Sequence, residues 1–166
     1  MFNRNCIFKV FVLLLAFFFS AGSVSASHSQ GADLTYECLG GNQYRVTLSF
    51  YRDCAGVAAP NAAIITVSSA MCGQNFTINL NPLPGTGQEV SPICLSATTE
   101  CTGGVLPGVQ EYIYTNTVTL PATCSDWVFS YDLCCRNTAT NTIFDPGNQN
   151  IRVEATLDNL NVTCNS

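Results

Sequence analysis

From residue 27 onward the chain is a series of short runs in which apolar and polar side chains alternate. The clearest is residues 43–52, where Tyr44, Val46, Leu48 and Phe50 interleave with Arg45, Thr47, Ser49 and Tyr51. A period of two sends one set to a buried face and the other toward water, the pattern of a half-buried β-strand. Gly40-Gly41-Asn42 precedes this run and predicts a tight hairpin from a first strand over residues 34–39. Residues 63–69, 75–80, 111–120, 127–136 and 151–157 predict further strands, each bounded by Gly, Pro, Asn or Asp. No amphipathic helix longer than a turn or two is legible. Seven short strands separated by polar turns predict an all-β domain: a disulfide-stapled antiparallel β-sandwich of immunoglobulin or fibronectin type, with a jelly roll as the other arrangement.

Two stretches depart from simple alternation. Residues 81–107 hold Pro82, Pro84, Pro92, Pro107 and four glycines, together with Cys94 and Cys101. An irregular segment this long inside a compact domain is expected to be functional or stapled, and a local Cys94–Cys101 bridge is the expected staple. In residues 127–136, Trp127, Phe129, Tyr131, Leu133 and Cys135 share one face, whereas Val128, Ser130, Asp132, Cys134 and Arg136 share the other. Adjacent cysteines on a continuous strand point opposite ways, so Cys134 and Cys135 are expected to take separate partners. Cys54 is the candidate for one, and Cys38 or Cys124 for the other.

The N-terminus changes how the composition is read. Arg4 and Lys9 precede an apolar run over residues 10–19, and Val24-Ser25-Ala26 supplies the small residues of a cleavage site, so residues 1–26 read as a secretory signal peptide. The apolar run is too short to span a bilayer as a helix. Residues 27–166 then form a single domain with no lysine and with four arginines against eleven acids. Nucleic-acid binding and direct membrane binding are excluded by that balance, because nothing is present to neutralise phosphates.

Nine cysteines remain after the signal peptide: Cys38, Cys54, Cys72, Cys94, Cys101, Cys124, Cys134, Cys135 and Cys164. Export makes disulfides the expected state, and the absence of any C-x-x-C, with His28 as the only histidine, argues against zinc. No metal or cofactor is expected. The odd count leaves one thiol over. Cys164, two residues from the end, is expected to be unpaired here, its partner lying in a longer natural chain.

Leu34-Thr35-Tyr36-Glu37-Cys38-Leu39-Gly40-Gly41-Asn42, Tyr51-Arg52-Asp53-Cys54, Val118-Thr119-Leu120-Pro121 and Cys124-Ser125-Asp126-Trp127 through Cys134-Cys135-Arg136-Asn137 together resemble one known module. It is the cysteine-rich N-terminal leader module of large secreted surface proteins of the Bacteroidota, and the resemblance covers about residues 28–166. It implies downstream β-domains on the same chain, a C-terminal type IX secretion sorting domain linked to gliding motility, and an adhesin-like role. It implies no catalytic or ligand-binding residue. No sorting domain is present in the sequence, and a chain ending at Ser166 would be expected in the periplasm rather than at the cell surface.

Catalysis is tested on the residues themselves. With His28 near the new N-terminus and no lysine, neither a Ser-His-Asp nor a Cys-His arrangement has a base. A paired-carboxylate glycosidase would have to draw on Asp53, Asp126, Asp132 and Glu111. Arg52, Asp53, Arg136 and Asn137 form a candidate recognition spot where strand ends gather, against the plainer reading of an Arg–Asp pair fixing a loop beside a disulfide. Residues 145–150 could offer oxygen ligands to calcium but read better as an Asp-Pro-Gly turn. Tyr36, Tyr44, Tyr51, Tyr112, Tyr114, Tyr131 and Trp127 could stack on sugars, or could be half-buried sheet residues. The expectation is a non-enzymatic extracellular structural or adhesion module, with surface glycans or proteins as candidate partners. The alternatives are a carbohydrate-binding module and, further off, a secreted glycoside hydrolase.

Overall fold

A computed structural model of the protein describes residues 29–94, 96–136 and 142–162. The expected signal peptide, His28, Asn137 and Cys164 lie outside the described residues. Those described form an all-β, antiparallel fold of eight strands: β1 (Ser29–Gly40), β2 (Gln43–Asp53), β3 (Ala63–Ser69), β4 (Gln74–Pro82), β5 (Gln88–Glu89), β6 (Val109–Thr119), β7 (Trp127–Leu133) and β8 (Ile151–Leu157). Seven of them match the alternating runs of the sequence, and the two-residue β5 is added inside the irregular segment. No helix among the described residues is long and apolar enough to cross a membrane.

The strand order is β1-β2-β6-β4-β3-β7-β8, with β5 added to β6. Residues 74–80 of β4 pair along β3, whereas its end, Asn81 and Pro82, pairs with Thr115 and Tyr114 of β6, so β4 passes from one sheet to the other. At the far edges, Ser29 forms a parallel bridge to Arg136 and the Tyr36 hydroxyl donates to the Thr156 carbonyl at 2.9 Å. The two sheets therefore face each other as in a sandwich while their path runs nearly round as a barrel.

One core fills the space between them. Tyr44, Val46, Leu48 and Phe50 of β2, the set marked by the period-two pattern, are buried against Ile65, Val67, Trp127, Phe129 and Tyr131 of the opposite sheet. Phe76 meets Trp127 edge-on, and Tyr36 packs on both Tyr44 and Phe129. The β1–β2 hairpin closes through Gly41 and Asn42, both with positive φ. Positive φ at both central residues gives the turn whose twist matches the paired strands, which is why Gly and Asn stand there.

Antiparallel pairing sorts the loops into two ends. One end collects the hairpin turn at 41–42, the β3–β4 turn, the β6–β7 loop and residues 158–162 after β8. There Cys72–Cys124 ties the β3–β4 turn to the β6–β7 loop. The Asn159 Oδ1 accepts from the Cys124 amide at 2.8 Å. The other end collects Ser29, residues 54–62, residues 83–94 and 96–108 of the irregular segment, and residues 134–136 after β7.

Candidate functional site

The second end holds most of the residues that the sequence singles out. Two disulfide expectations are overturned there. Cys101 bonds to Cys54 rather than to Cys94, and Cys94 is an exposed free thiol. The cause is strand adjacency: β5 pairs with Gln110 and Glu111 of β6, whose other neighbour is β2, so the 90–108 segment is carried to the end of β2. Gly108 makes the approach possible, because a Cβ there would stand 2.5 Å from the Cys101 Sγ. Within the segment, the Glu89 carboxylate accepts from the hydroxyls of Thr99 at 2.6 Å and Ser91 at 2.7 Å. Those hydrogen bonds pull the Glu89 pKa below the ordinary carboxylate value, Thr99 contributing most.

The second correction concerns Cys134 and Cys135, which bond to each other rather than to separate partners. The strand ends at Leu133, and Cys135 adopts a left-handed backbone with φ 80°, so the alternation that would have sent them to opposite faces stops before them. Cys54 and Cys124, offered as their partners, are taken by Cys101 and Cys72. Cys38 is disulfide-bonded as well.

Arg52, Asp53 and Arg136 do come together. Ser29 pairs with Arg52 in the β1–β2 ladder and bridges to Arg136, so the two arginine positions flank one residue. Their side chains serve the backbone. The Arg52 guanidinium donates to the carbonyls of Cys54, Gly56 and Val57 and to the Gln110 Oε1. The Asp53 carboxylate is buried, accepts from the Ala55 amide at 3.0 Å and receives the Gln30 amide at 3.4 Å. Arg136 donates to the Asn150 carbonyl at 3.2 Å.

Each of the four carboxylates that a glycosidase would draw on is engaged by a partner of its own. Asp53 holds its own turn, Glu111 accepts from the Tyr51 hydroxyl at 3.2 Å, and Asp132 pairs with Arg152 at 2.6 Å. Asp126 sits at the opposite end, where it receives the Ser69 hydroxyl and, at 2.8 Å, the Met71 amide, which lower its pKa. Of the aromatic set, Tyr44, Tyr114, Tyr131 and Trp127 are buried. Burial pushes the phenols of Tyr114 and Tyr131 up to about 12. The Asp145 carboxylate accepts from the Asn148 side chain at 2.7 Å, as a turn residue does. Among the described residues no cluster of three or more His, Cys, Asp or Glu could hold a metal ion.

What the sequence did not indicate is a cleft of about 200 Å³ between the sheets at this end. Ser29, Phe50, Arg52, Val57, Ala58, Pro60 and Leu133 line it. Residues 57–60 form its lip, held by the Tyr114 hydroxyl, which donates to the Pro60 carbonyl at 2.7 Å. The apolar run Val57-Ala58-Ala59-Pro60 between two strands was the available signal, since a loop with nothing to bury would be polar. Compared with known protein families, curated proteins and solved structures, the chain matches none of them.

Proposed function

We propose that this chain is a non-enzymatic extracellular module of a secreted cell-surface protein, acting by presenting its strand faces and end loops. The observation that carries the reading is the use of its charged groups. Arg52, Arg45, Arg152, Asp53, Asp126 and Asp132 are each engaged with a backbone or side-chain partner that fixes the scaffold. A catalytic carboxylate needs a second acid or a base converging on one substrate position, and these groups are spread over both ends. Three disulfides among the described residues fit an oxidising compartment.

The same reading places the chain with the leader modules of Bacteroidota surface proteins, exported through type IX secretion and engaged in adhesion. Downstream domains of the same chain and surface glycans or proteins are then its partners. Its test is a turnover screen on glycan and ester substrates beside a glycan and protein array. Array binding without turnover is the expected result. Turnover abolished by Asp53→Asn in a protein that still folds would overturn the non-enzymatic reading.

A further inference from the structure

Strand β4 changes neighbours along its length, which leaves one side of it without a partner strand. Residues 74–80 pair with β3, and only Asn81 and Pro82 pair with β6. Where the two sheets part, the exposed Asn116 side chain of β6 donates to the Asn79 carbonyl at 2.8 Å, and the Leu83 amide donates to the Ile113 carbonyl at 2.8 Å. Those backbone groups point toward the β6 side. Alternate residues of a strand direct their amides and carbonyls the same way, so Asn75 and Thr77 aim theirs at that side too, where no strand among the described residues meets them.

An open edge is normally guarded by charge, by proline or by brevity. β1 carries Asp33 and Glu37 and meets β8 through the Tyr36 hydroxyl, β8 carries Arg152 and Glu154, and β5 has two residues. Residues 74–80 have no such guard. No charged side chain stands anywhere in residues 54–88, and the one proline of β4 is Pro82.

The sequence of the edge also decides what fits it. Asn75-Phe76-Thr77-Ile78-Asn79 has the same chemistry read in either direction. Two copies set antiparallel about a two-fold axis at Thr77 place Thr77 opposite Thr77, Asn75 opposite Asn79 and Phe76 opposite Ile78. The polar pairs then lie on the exposed face and the apolar pairs on the face that packs against the core. A chain with a net charge of −5 repels its own copies, and an uncharged hairpin is where that repulsion is least. We propose that the protein self-associates through β4, an antiparallel pair of edges joining the β4-β3-β7-β8 sheets of two copies into one. Five residues a side make a small interface, so the dimer is weak and concentration-dependent.

The experiment is sedimentation velocity with amide exchange by NMR on the Cys94→Ser protein, in which the exposed free thiol cannot cross-link copies. Raising the concentration is expected to move the mass from monomer to dimer and to slow exchange at the Asn75 and Thr77 amides, while the Phe76 and Ile78 amides, turned toward β3, stay slow throughout. Thr77→Lys, at an exposed position, sets like charges directly opposite each other and is expected to weaken the dimer about tenfold. An equal mixture of Thr77→Lys and Thr77→Glu is expected to restore it, and Thr156→Lys on β8 is expected to leave it unchanged. A monomer up to millimolar concentration, a dimer as strong in Thr77→Lys as in its parent, or new protection on another edge would each overturn the proposal.

Discussion

Arg52 separates a scaffold role from a recognition role, because its guanidinium is either an anchor for the residue 53–57 turn or a group kept for a partner. It donates to three backbone carbonyls and to the Gln110 side chain, the latter at 2.7 Å. A hydrogen bond from a charged donor contributes about 1.5–3 kcal/mol when well shielded. Arg52 is half-buried, so water replaces part of this on truncation, and the bonds share one side chain and do not add. A loss of about 2 kcal/mol is expected for Arg52→Ala, and about 1 kcal/mol for Arg52→Lys, whose ammonium keeps the charge but not the fork that reaches several carbonyls at once. With a urea dependence of about 2 kcal/mol per molar, the alanine variant should unfold about 1 M earlier. Arg45→Ala is the control, since its ion pair with Glu37 is 49% and 65% exposed on the two sides and should be worth less than about 1 kcal/mol. Equal midpoints for Arg52→Ala and the unmodified protein, together with lost binding on an array, would refute the anchoring argument and restore Arg52 as a recognition residue.

The disulfides should differ sharply in what they contribute. Cys54–Cys101 and Cys72–Cys124 close separations of 47 and 52 residues. Chain entropy then assigns each about 4 kcal/mol, whereas replacing both Cys134 and Cys135 by alanine removes no loop and should cost below about 1 kcal/mol in urea unfolding. Tyr114 and Tyr131, with phenols raised to about 12 by burial, favour the folded state below pH 10, and that contribution is lost as pH climbs from 10 toward 12. Spectrophotometric titration should show these two phenols ionising only together with unfolding. Asp126, whose carboxyl is held low by Ser69 and Met71, works in the opposite sense: its contribution is present above pH 3.8 and lost as pH falls below it. Asp126→Asn should therefore flatten the acid limb of a stability–pH curve.

The strands were legible because alternation reports directly on a two-faced sheet. Residues 43–52, 63–69 and 151–157 fall within β2, β3 and β8 almost to the residue. Strand ends were less legible. Residues 127–136 read as one strand, but β7 stops at Leu133 and the left-handed Cys135 turns the chain, which alternation has no means of encoding. Bridge partners failed for a related reason: Cys94 and Cys101 are close in sequence, yet the pairing of Cys101 depends on β6 lying between β2 and β5. The grouping of Arg52, Asp53 and Arg136 followed from strand direction and was readable. Of the cleft only the apolar run at 57–60 is legible, since Ser29, Phe50, Pro60 and Leu133 come from separate segments whose meeting depends on how the two sheets close.

The cross-links tie the loops together at both ends of the fold, and their pattern follows directly from its strand order. Non-reducing proteolysis with mass spectrometry of the oxidised protein, after alkylation of free thiols, reads that pattern in one measurement. Among the described cysteines, the expected map joins Cys54 to Cys101, Cys72 to Cys124 and Cys134 to Cys135, keeps Cys38 in a disulfide and puts the alkyl group on Cys94. A Cys94–Cys101 peptide, or Cys134 and Cys135 linked to different segments, would contradict it.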